Sequence, residues 1–378
     1  MPYPKRMPDL HGLKVFPLAE RQSLTSVENI LVNPASPPAP LSPELVPLVA
    51  QCADRILAAR DKSATVSLIY GAHLLRNGAA LILGEMMRRG WLTHLATNGA
   101  GTIHDWEYAF LGRSTESVEK NVAAGCFGTW DETGRNIHLA LLAGGVAGLG
   151  YGASLGKYIA EDGIDIPTTF DLERLIKESP GHKLTANRAE LLRVLRELDV
   201  TPPRINVEHR WKHTSILGQA WQAQVPVTIH PGIGYDIISC HPLFNGAVIG
   251  RAAERDFCLF VNAVESLDNG VVMSVGSAIM GPQVFEKSLS CVHNLRFQTN
   301  RPAVRGHSFY VVDLQESGGW DWTQGEPPKT NPAYYLRFCK SFSRMGGEMQ
   351  YLCSDNLAFI HNLYHALLNR CAATALNK

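Results

Sequence analysis

Net charge is the first thing this chain lacks: 35 Lys and Arg balance 35 Asp and Glu over 378 residues. Without a basic excess there is no electrostatic capture of nucleic acid or of an anionic membrane, and neither is expected as a partner. Paired cysteines are missing too. The eight cysteines are scattered without a C-x-x-C pair, which argues against a structural zinc site and for a reducing compartment, the cytoplasm. No ligand-spaced His and Asp pair stands out, so no metal is expected. The N-terminus is not signal-like. One uncharged run, Leu139 to Gly156, is long enough for a bilayer, but it carries six glycines. It reads as a close-packed segment of a soluble protein. The G-x-G-x-x-G fingerprint is absent. Gly150 to Lys157 fails the P-loop spacing, with Tyr151 five residues before Gly156 and Tyr158 in place of the required Ser or Thr.

What is present is an α/β pattern. Residues 1–41 are proline-rich and polar, and read as an arm laid over the surface or over a neighbouring subunit. Residues 42–378 read as a single α/β domain, beginning with an amphipathic helix after Ser42. Apolar runs at Ala64–Ile69, Leu92–Thr97, Pro226–His230, Val271–Val275, Ser308–Leu314 and Gln350–Cys353 have the character of buried strands. Asn77–Arg89 has a helical apolar face. Phe257–Val261 has strand composition but sits among helical spacing and reads as a helix end. A last helix runs from about Asp355 to Leu376. Strand, helix, strand at this spacing predicts a doubly wound, mostly parallel, Rossmann-like sheet. Residues 105–215 are mixed and largely helical, an inserted layer or lid.

Ligands of such sheets lie beyond the carboxyl ends of the strands. The turns Tyr70-Gly71-Ala72-His73, Asn98-Gly99-Ala100-Gly101 and Pro231-Gly232-Ile233-Gly234 should therefore face one crevice. Val271–Gln283 is the stretch around which the rest is organised. It is a buried strand, a small-residue turn at Gly276-Ser277-Ala278, then a helix start whose free N–H groups suit an anion.

This order of turns resembles the deoxyhypusine synthase family over about Ala64 to Leu367. Thr97-Asn98-Gly99-Ala100-Gly101 followed by Asp105 is similar to the family's Thr-Thr-Ala-Gly-Gly…Asp turn, which lies on NAD. His230-Pro231-Gly232-Ile233-Gly234-Tyr235-Asp236 stands where the family has Asp-Gly-Ser-Leu-Gly-Asp. Val271–Gly276 stands where it has a strand ending in three glycines. Gln315-Glu316, Gly319 and Asp321 resemble a Gln-Glu-Phe-Asp-Gly-Ser-Asp run that contacts the polyamine. Pro332 precedes Lys340 by the spacing that separates a proline from the family's imine-forming lysine. Ser354-Asp355 resembles the Ala-Asp pair at the adenosine end.

The resemblance implies an NAD-dependent aminobutyl-type transferase that takes a polyamine onto Lys340 as an imine, in a homotetramer with interfacial sites. It places Thr97, Asn98, Gly99, Gly101, Asp105, Gly276, Ser277, Ser354 and Asp355 on the cofactor. Glu316, Asp321, Trp320 and Trp322 would hold the small-molecule amine, with carboxylates and aromatic faces for its ammonium groups. The acceptor protein is not named by any motif.

The departures are equally specific. The lysine and two histidines that follow the family's three glycines, one of them catalytic, are replaced by Ala278-Ile279-Met280-Gly281-Pro282-Gln283. The acid before the lysine is Tyr334 or Tyr335, and the family's tryptophan is Phe338. His73, His104 and above all His230 are the available replacement bases, since an imidazole titrates near neutral pH. A catalytic lysine must be neutral, and the aromatic surroundings of Lys340, with Arg337 nearby, would favour that. Two other readings stand beside the transferase. One is an NAD-dependent oxidoreductase or amine transferase with a different product and His230 as base. The other is a non-catalytic dinucleotide-binding protein.

Overall fold

The computed structural model describes residues 7–200, 202–316 and 318–376. Its centre is a six-stranded, wholly parallel sheet of β1 (Val66–Tyr70), β2 (His94–Thr97), β3 (Val227–Ile229), β4 (Val271–Val275), β5 (Ser308–Asp313) and β6 (Glu348–Cys353). The spatial order is β6-β5-β4-β1-β2-β3. The chain starts in the middle at β1, moves outward through β2 and β3, then returns to the other side of β1 as β4. This is the order of the doubly wound dinucleotide-binding fold, with its switch point at the β1/β4 seam. In that seam Val66 lies opposite Val271 and Tyr70 opposite Val275.

The strands are apolar throughout because both faces are covered. Side chains alternate between two cores, as a period of two requires. Val66, Leu68, Tyr70, Val271, Met273 and Val275 face one core. Helices Leu45–Asp61, Ala80–Arg88 and Asn356–Leu376 complete it. Ile69, Ala96, Val272, Phe309 and Val311 face the other, with helices Gly246–Glu265, Met280–Gln298 and Arg337–Ser343. Each fully buried Val, Leu, Ile or Phe contributes roughly 1.5–3 kcal/mol.

All six expected strands form, Val271–Val275 at its expected bounds and the others with ends moved by one or two residues. Phe257–Val261 lies inside the helix Gly246–Glu265 rather than at its end. The helix expected at Asn77–Arg89 forms as Ala80–Arg88, and a short helix not expected from the sequence, Ala72–Arg76, precedes it. The inserted layer begins after Leu111 rather than at 105, because Asp105 is inside the helix Gly99–Leu111. It contains helices Asp131–Val146, Tyr151–Ala160, Thr169–Glu178 and Thr185–Glu197. Leu139–Gly156 spans the first two, which meet at a bend of 110°. No single helix among the described residues is long and apolar enough to cross a membrane.

Residues 7–41 of the arm lie on their own chain, and residues 1–6 fall outside the described part. Leu18 is fully buried, and Thr25–Ser26 pairs antiparallel with Arg113–Ser114. Arg21 grips Glu107 through two bonds of 2.6 and 2.9 Å, both side chains 1% exposed. Farther along, His365 Nε2 lies 3.0 Å from the Pro34 carbonyl.

Candidate dinucleotide crevice

The sheet's carboxyl edge collects helix starts. Gly99–Leu111 follows β2, Met280–Gln298 follows β4 and Asn356–Leu376 follows β6. Each carries a polar cap that satisfies one orphan donor. Asn98 Oδ1 accepts from Gly101 N at 3.0 Å, Ser277 Oγ from Gly281 N at 3.1 Å, and Asp355 Oδ1 from Ala358 N at 2.9 Å. Three residues singled out by sequence for the cofactor are thus helix caps. Their side chains fix the helix starts. The N–H groups of Gly99, Ala100, Ala278 and Ile279 donate to no acceptor among the described residues. Aligned helix dipoles and free N–H groups give this edge a preference for anions.

The β1/β4 seam is the tightest point. A Cβ on Gly71 would stand 2.1 Å from the Gly276 carbonyl oxygen, so the two turns touch backbone to backbone. Gly276 has φ +59°, a left-handed conformation, and a Cβ there would meet Asn356 Nδ2 at 2.4 Å. The β6 turn, with Ser354 and Asp355, is thereby brought beside the β4 turn. Thr97 Oγ1 donates to the Tyr70 carbonyl at 2.9 Å and ties the β2 turn to the β1 turn. A Cβ on Gly101 would lie 2.3 Å from that Thr97 hydroxyl. Thr97, Asn98, Gly99, Gly101, Gly276, Ser277, Ser354 and Asp355 therefore lie along one rim. Asn356 was missed by sequence reasoning. It is 7% exposed, and its Oδ1 is buried without a partner beside Gly276.

Asp105 departs from its expected role. It is 1% exposed and accepts from Ser215 Oγ at 2.5 Å, Ile216 N at 2.7 Å and Leu217 N at 3.1 Å. It caps the helix Ile216–Ala223 and has no face left for a ligand. Burial pushes its carboxyl up to about 6 despite those donors. The acid at the crevice is Asp236, on the loop after β3. Its carboxylate fills the space a Cβ on Gly99 would need, at 2.0 Å, and Oδ2 accepts from Gly232 N at 2.8 Å. Burial raises this group too, to about 6, with no cation paired to it. Asp236 stands last in the sequence motif His230–Asp236, and its position in that loop was the available signal. A third acid, Asp256, is fully buried. It accepts from Gly152 N at 2.9 Å and Ile229 N at 2.8 Å, and burial pushes it to about 7. It thus occupies the start of the glycine-rich helix Tyr151–Ala160.

His230 is corrected as a base titrating near neutral pH. Burial lowers it to about 4, its Nε2 lies 3.2 Å from Thr228 Oγ1, and its ring meets Phe260 edge-on at 5.4 Å. His104 is likewise lowered to about 4, chiefly by burial, with Nδ1 2.7 Å from Ser114 Oγ. His73 is exposed on the β1 turn.

The residues expected to hold the amine lie on the segment that joins β5 to β6. Trp322 is 3% exposed in the second core, so it packs Asp321's neighbourhood from within and offers no ligand face. Asp321 caps a short 3-10 turn through Thr323 N at 3.0 Å and also accepts from Thr323 Oγ1 and Gln324 Nε2. The Thr323 hydroxyl, first among these donors, holds its carboxyl below the ordinary range. Trp320 is half-buried, with Nε1 donating to the Gly325 carbonyl at 2.9 Å. Glu316 is exposed beyond β5. Lys340 is half-buried on the helix Arg337–Ser343 that leads into β6, its Nζ 3.6 Å from the Tyr334 ring centroid.

The sheet order and its glycine seam define the class: a doubly wound, Rossmann-like α/β protein. No protein-family model matches the chain, and no curated protein matches it significantly. Among solved structures it is similar to AgrE in ternary complex with ornithine and NAD+, at 14% identity and TM-score 0.44, over 88% of this chain. That match spans only 34% of AgrE. It is similar to a candidate deoxyhypusine synthase from Entamoeba histolytica at 9% identity and TM-score 0.41, over 85% of this chain and 87% of that one. A LOR/SDH-type protein from Methanococcus maripaludis S2 matches at 11% identity and TM-score 0.41, over 94% and 76%. Likenesses at this level say nothing of site or reaction.

Proposed function

We propose that the chain binds an NAD-type dinucleotide across the β1/β4 seam and acts on a small amine. The observation that carries this is the strand reversal at β1/β4, with a glycine turn on each side and helix starts whose N–H groups are free. The rim fits such a group. The N–H groups of Ala278 and Ile279 suit a pyrophosphate, and the unpartnered Asn356 Oδ1 awaits a hydroxyl or amino donor. When bound, the nicotinamide supplies hydride exchange. Asp236, next to the start of Gly99–Leu111, is the chain's own candidate for holding an ammonium or moving its proton.

The finer reading is an aminobutyl-type transfer from a polyamine through an imine on Lys340. Supporting it are the Tyr334 ring under Nζ and the resemblance of Pro332–Lys340. In the homotetramer that the resemblance implies, Lys340 of one subunit would serve the crevice of the next. The binding-protein reading draws on a different observation: burial deprives His230 of basicity where a base is needed.

The first experiment is a thermal melt with NAD+ and NADH. A ligand at a hundred times its dissociation constant adds about 2.7 kcal/mol and raises the midpoint. No rise with either form removes the dinucleotide. With binding established, borohydride should trap a spermidine-derived adduct on Lys340, and Lys340→Ala should abolish both adduct and turnover. Full turnover without that amine ends the imine route; binding without turnover of any amine leaves a binding protein.

A further inference from the structure

An unpaired cation stands beside the crevice. Arg76 is the last residue of the short helix Ala72–Arg76, which leaves β1 at Gly71. Its Nε is buried without a hydrogen-bond partner. Its guanidinium makes no hydrogen bond or ion pair with any described residue. An arginine cannot shed its proton in a protein, so a half-buried one without an anion is costly unless something supplies one.

Its neighbours do not. The adjacent acid, Glu107, is saturated: Arg21 holds both oxygens, Ser114 Oγ lies 2.5 Å from one and Thr133 Oγ1 2.9 Å from the other. Tyr108 Oη is bonded to Thr25 Oγ1 at 2.7 Å. His104, within electrostatic reach of Arg76 and Arg21, is lowered chiefly by burial; Glu107 opposes that, and the two guanidinium groups add to it. Arg21 and Glu107 cancel as an ion pair, so the formal charge of Arg76 is left over. His73, three residues earlier on the same helical face, is exposed. The guanidinium's terminal nitrogens form a planar fork that matches two oxygens of one anionic group.

We propose that Arg76, with His73 one turn before it, forms an oxyanion subsite next to the β1 end of the crevice. It takes either a dinucleotide phosphate or a carboxylate of the substrate. This rests on reading the crevice as the ligand site. It adds that the bound molecule presents an anionic group at Arg76, which a simple polyamine lacks.

The test uses the full chain and four probes in calorimetric titrations: NAD+, NADP+, pyrophosphate and glutarate. Arg76→Gln should weaken the probe that uses the subsite by about ten- to a hundredfold, the loss of a charge-assisted pair. Arg76→Lys should recover part of it and His73→Ala should lose a smaller part. Loss confined to the nucleotides and pyrophosphate assigns a phosphate, with NADP+ suffering more if it is the extra one. Loss confined to glutarate assigns a carboxylate. Equal affinity of Arg76→Gln and the parent for all four probes overturns the subsite and leaves NAD+ binding intact. Conversely, pyrophosphate or glutarate binding through Arg76 with no NAD+ binding would keep the subsite and remove the dinucleotide. Without ligand, Arg76→Gln should melt no lower than the parent. A midpoint several degrees lower would mean the side chain holds the fold together, and that too would overturn the proposal.

Discussion

The clasp between Arg21 and Glu107 should decide whether the arm belongs to the folded body. Glu107 accepts four hydrogen bonds, two of them from Arg21, and both side chains are almost wholly out of water. In Arg21→Met the carboxylate keeps its two hydroxyl donors but loses its only direct ion-pair partner. Breaking one side of such a buried pair costs about 3–5 kcal/mol. The double variant Arg21→Met/Glu107→Leu removes the stranded charge as well. It leaves the Thr133 hydroxyl short of an acceptor, while Ser114 Oγ keeps His104 Nδ1 at 2.7 Å, so it should recover much of the loss. The double-mutant cycle then gives a coupling above roughly 1.5 kcal/mol. Urea denaturation followed by tryptophan fluorescence suits this, because Trp130 lies 5.8 Å from the Arg21 guanidinium and 6.3 Å from the Phe16 ring. A loss below about 1 kcal/mol for Arg21→Met, the size of an exposed pair, would refute the clasp.

The seam glycines should be intolerant. Gly71→Ala drives a methyl into the Gly276 carbonyl, and soluble yield and urea midpoint should both fall, whereas parental values would show that the turns are not in contact. The three buried acids give a pH signature. Asp105 and Asp236 are raised to about 6 and Asp256 to about 7, from an ordinary 3.8. The folded state then holds protons the unfolded chain has released, so these groups make stability fall as pH rises from about 4 to 7 and level off above. Asp256→Asn should flatten the upper part of that fall in melts from pH 5 to 8; an unchanged slope would clear Asp256 of the effect. Trp322→Ala should cost about 3–5 kcal/mol as a core truncation, while Asp321→Asn, which alters only an exposed cap, should move the urea midpoint far less. Equal effects in urea denaturation would return Trp322 to the surface.

The sheet was legible because each buried strand is a short apolar run and each turn carries its own small residues. The rim was legible for the same reason: Asn98, Ser277 and Asp355 mark helix starts that local chemistry writes into the sequence. Asp105 was misread because its partners, Ser215 to Leu217, lie far away in the chain, and nothing near Asp105 announces them. Trp322 was misread because its loop is polar on both sides while its ring reaches a core built by Phe285, Phe309 and Phe342. His230 kept the type of a base but not the solvent that makes it one. Arg76 sits in an ordinary helical turn, and only the saturation of Glu107 by Arg21 reveals that it has no counter-charge among the described residues.

The seam also sets an order in time. Its two strands are far apart in the chain: Val66 must wait for Val271 to be made before the two can lie side by side. Long-range pairing of this kind is slow, since the loop must close before any contact rewards it. During synthesis β1, β2 and β3 can assemble with the helical layer while β1 still shows a bare edge. The crevice comes into existence only when β4 docks there. A nascent chain stopped before Val271 should therefore expose an unpaired central strand, a place for chaperones or for aggregation. A dinucleotide bound as proposed could not assist the early steps, since the seam does not exist before β4 docks.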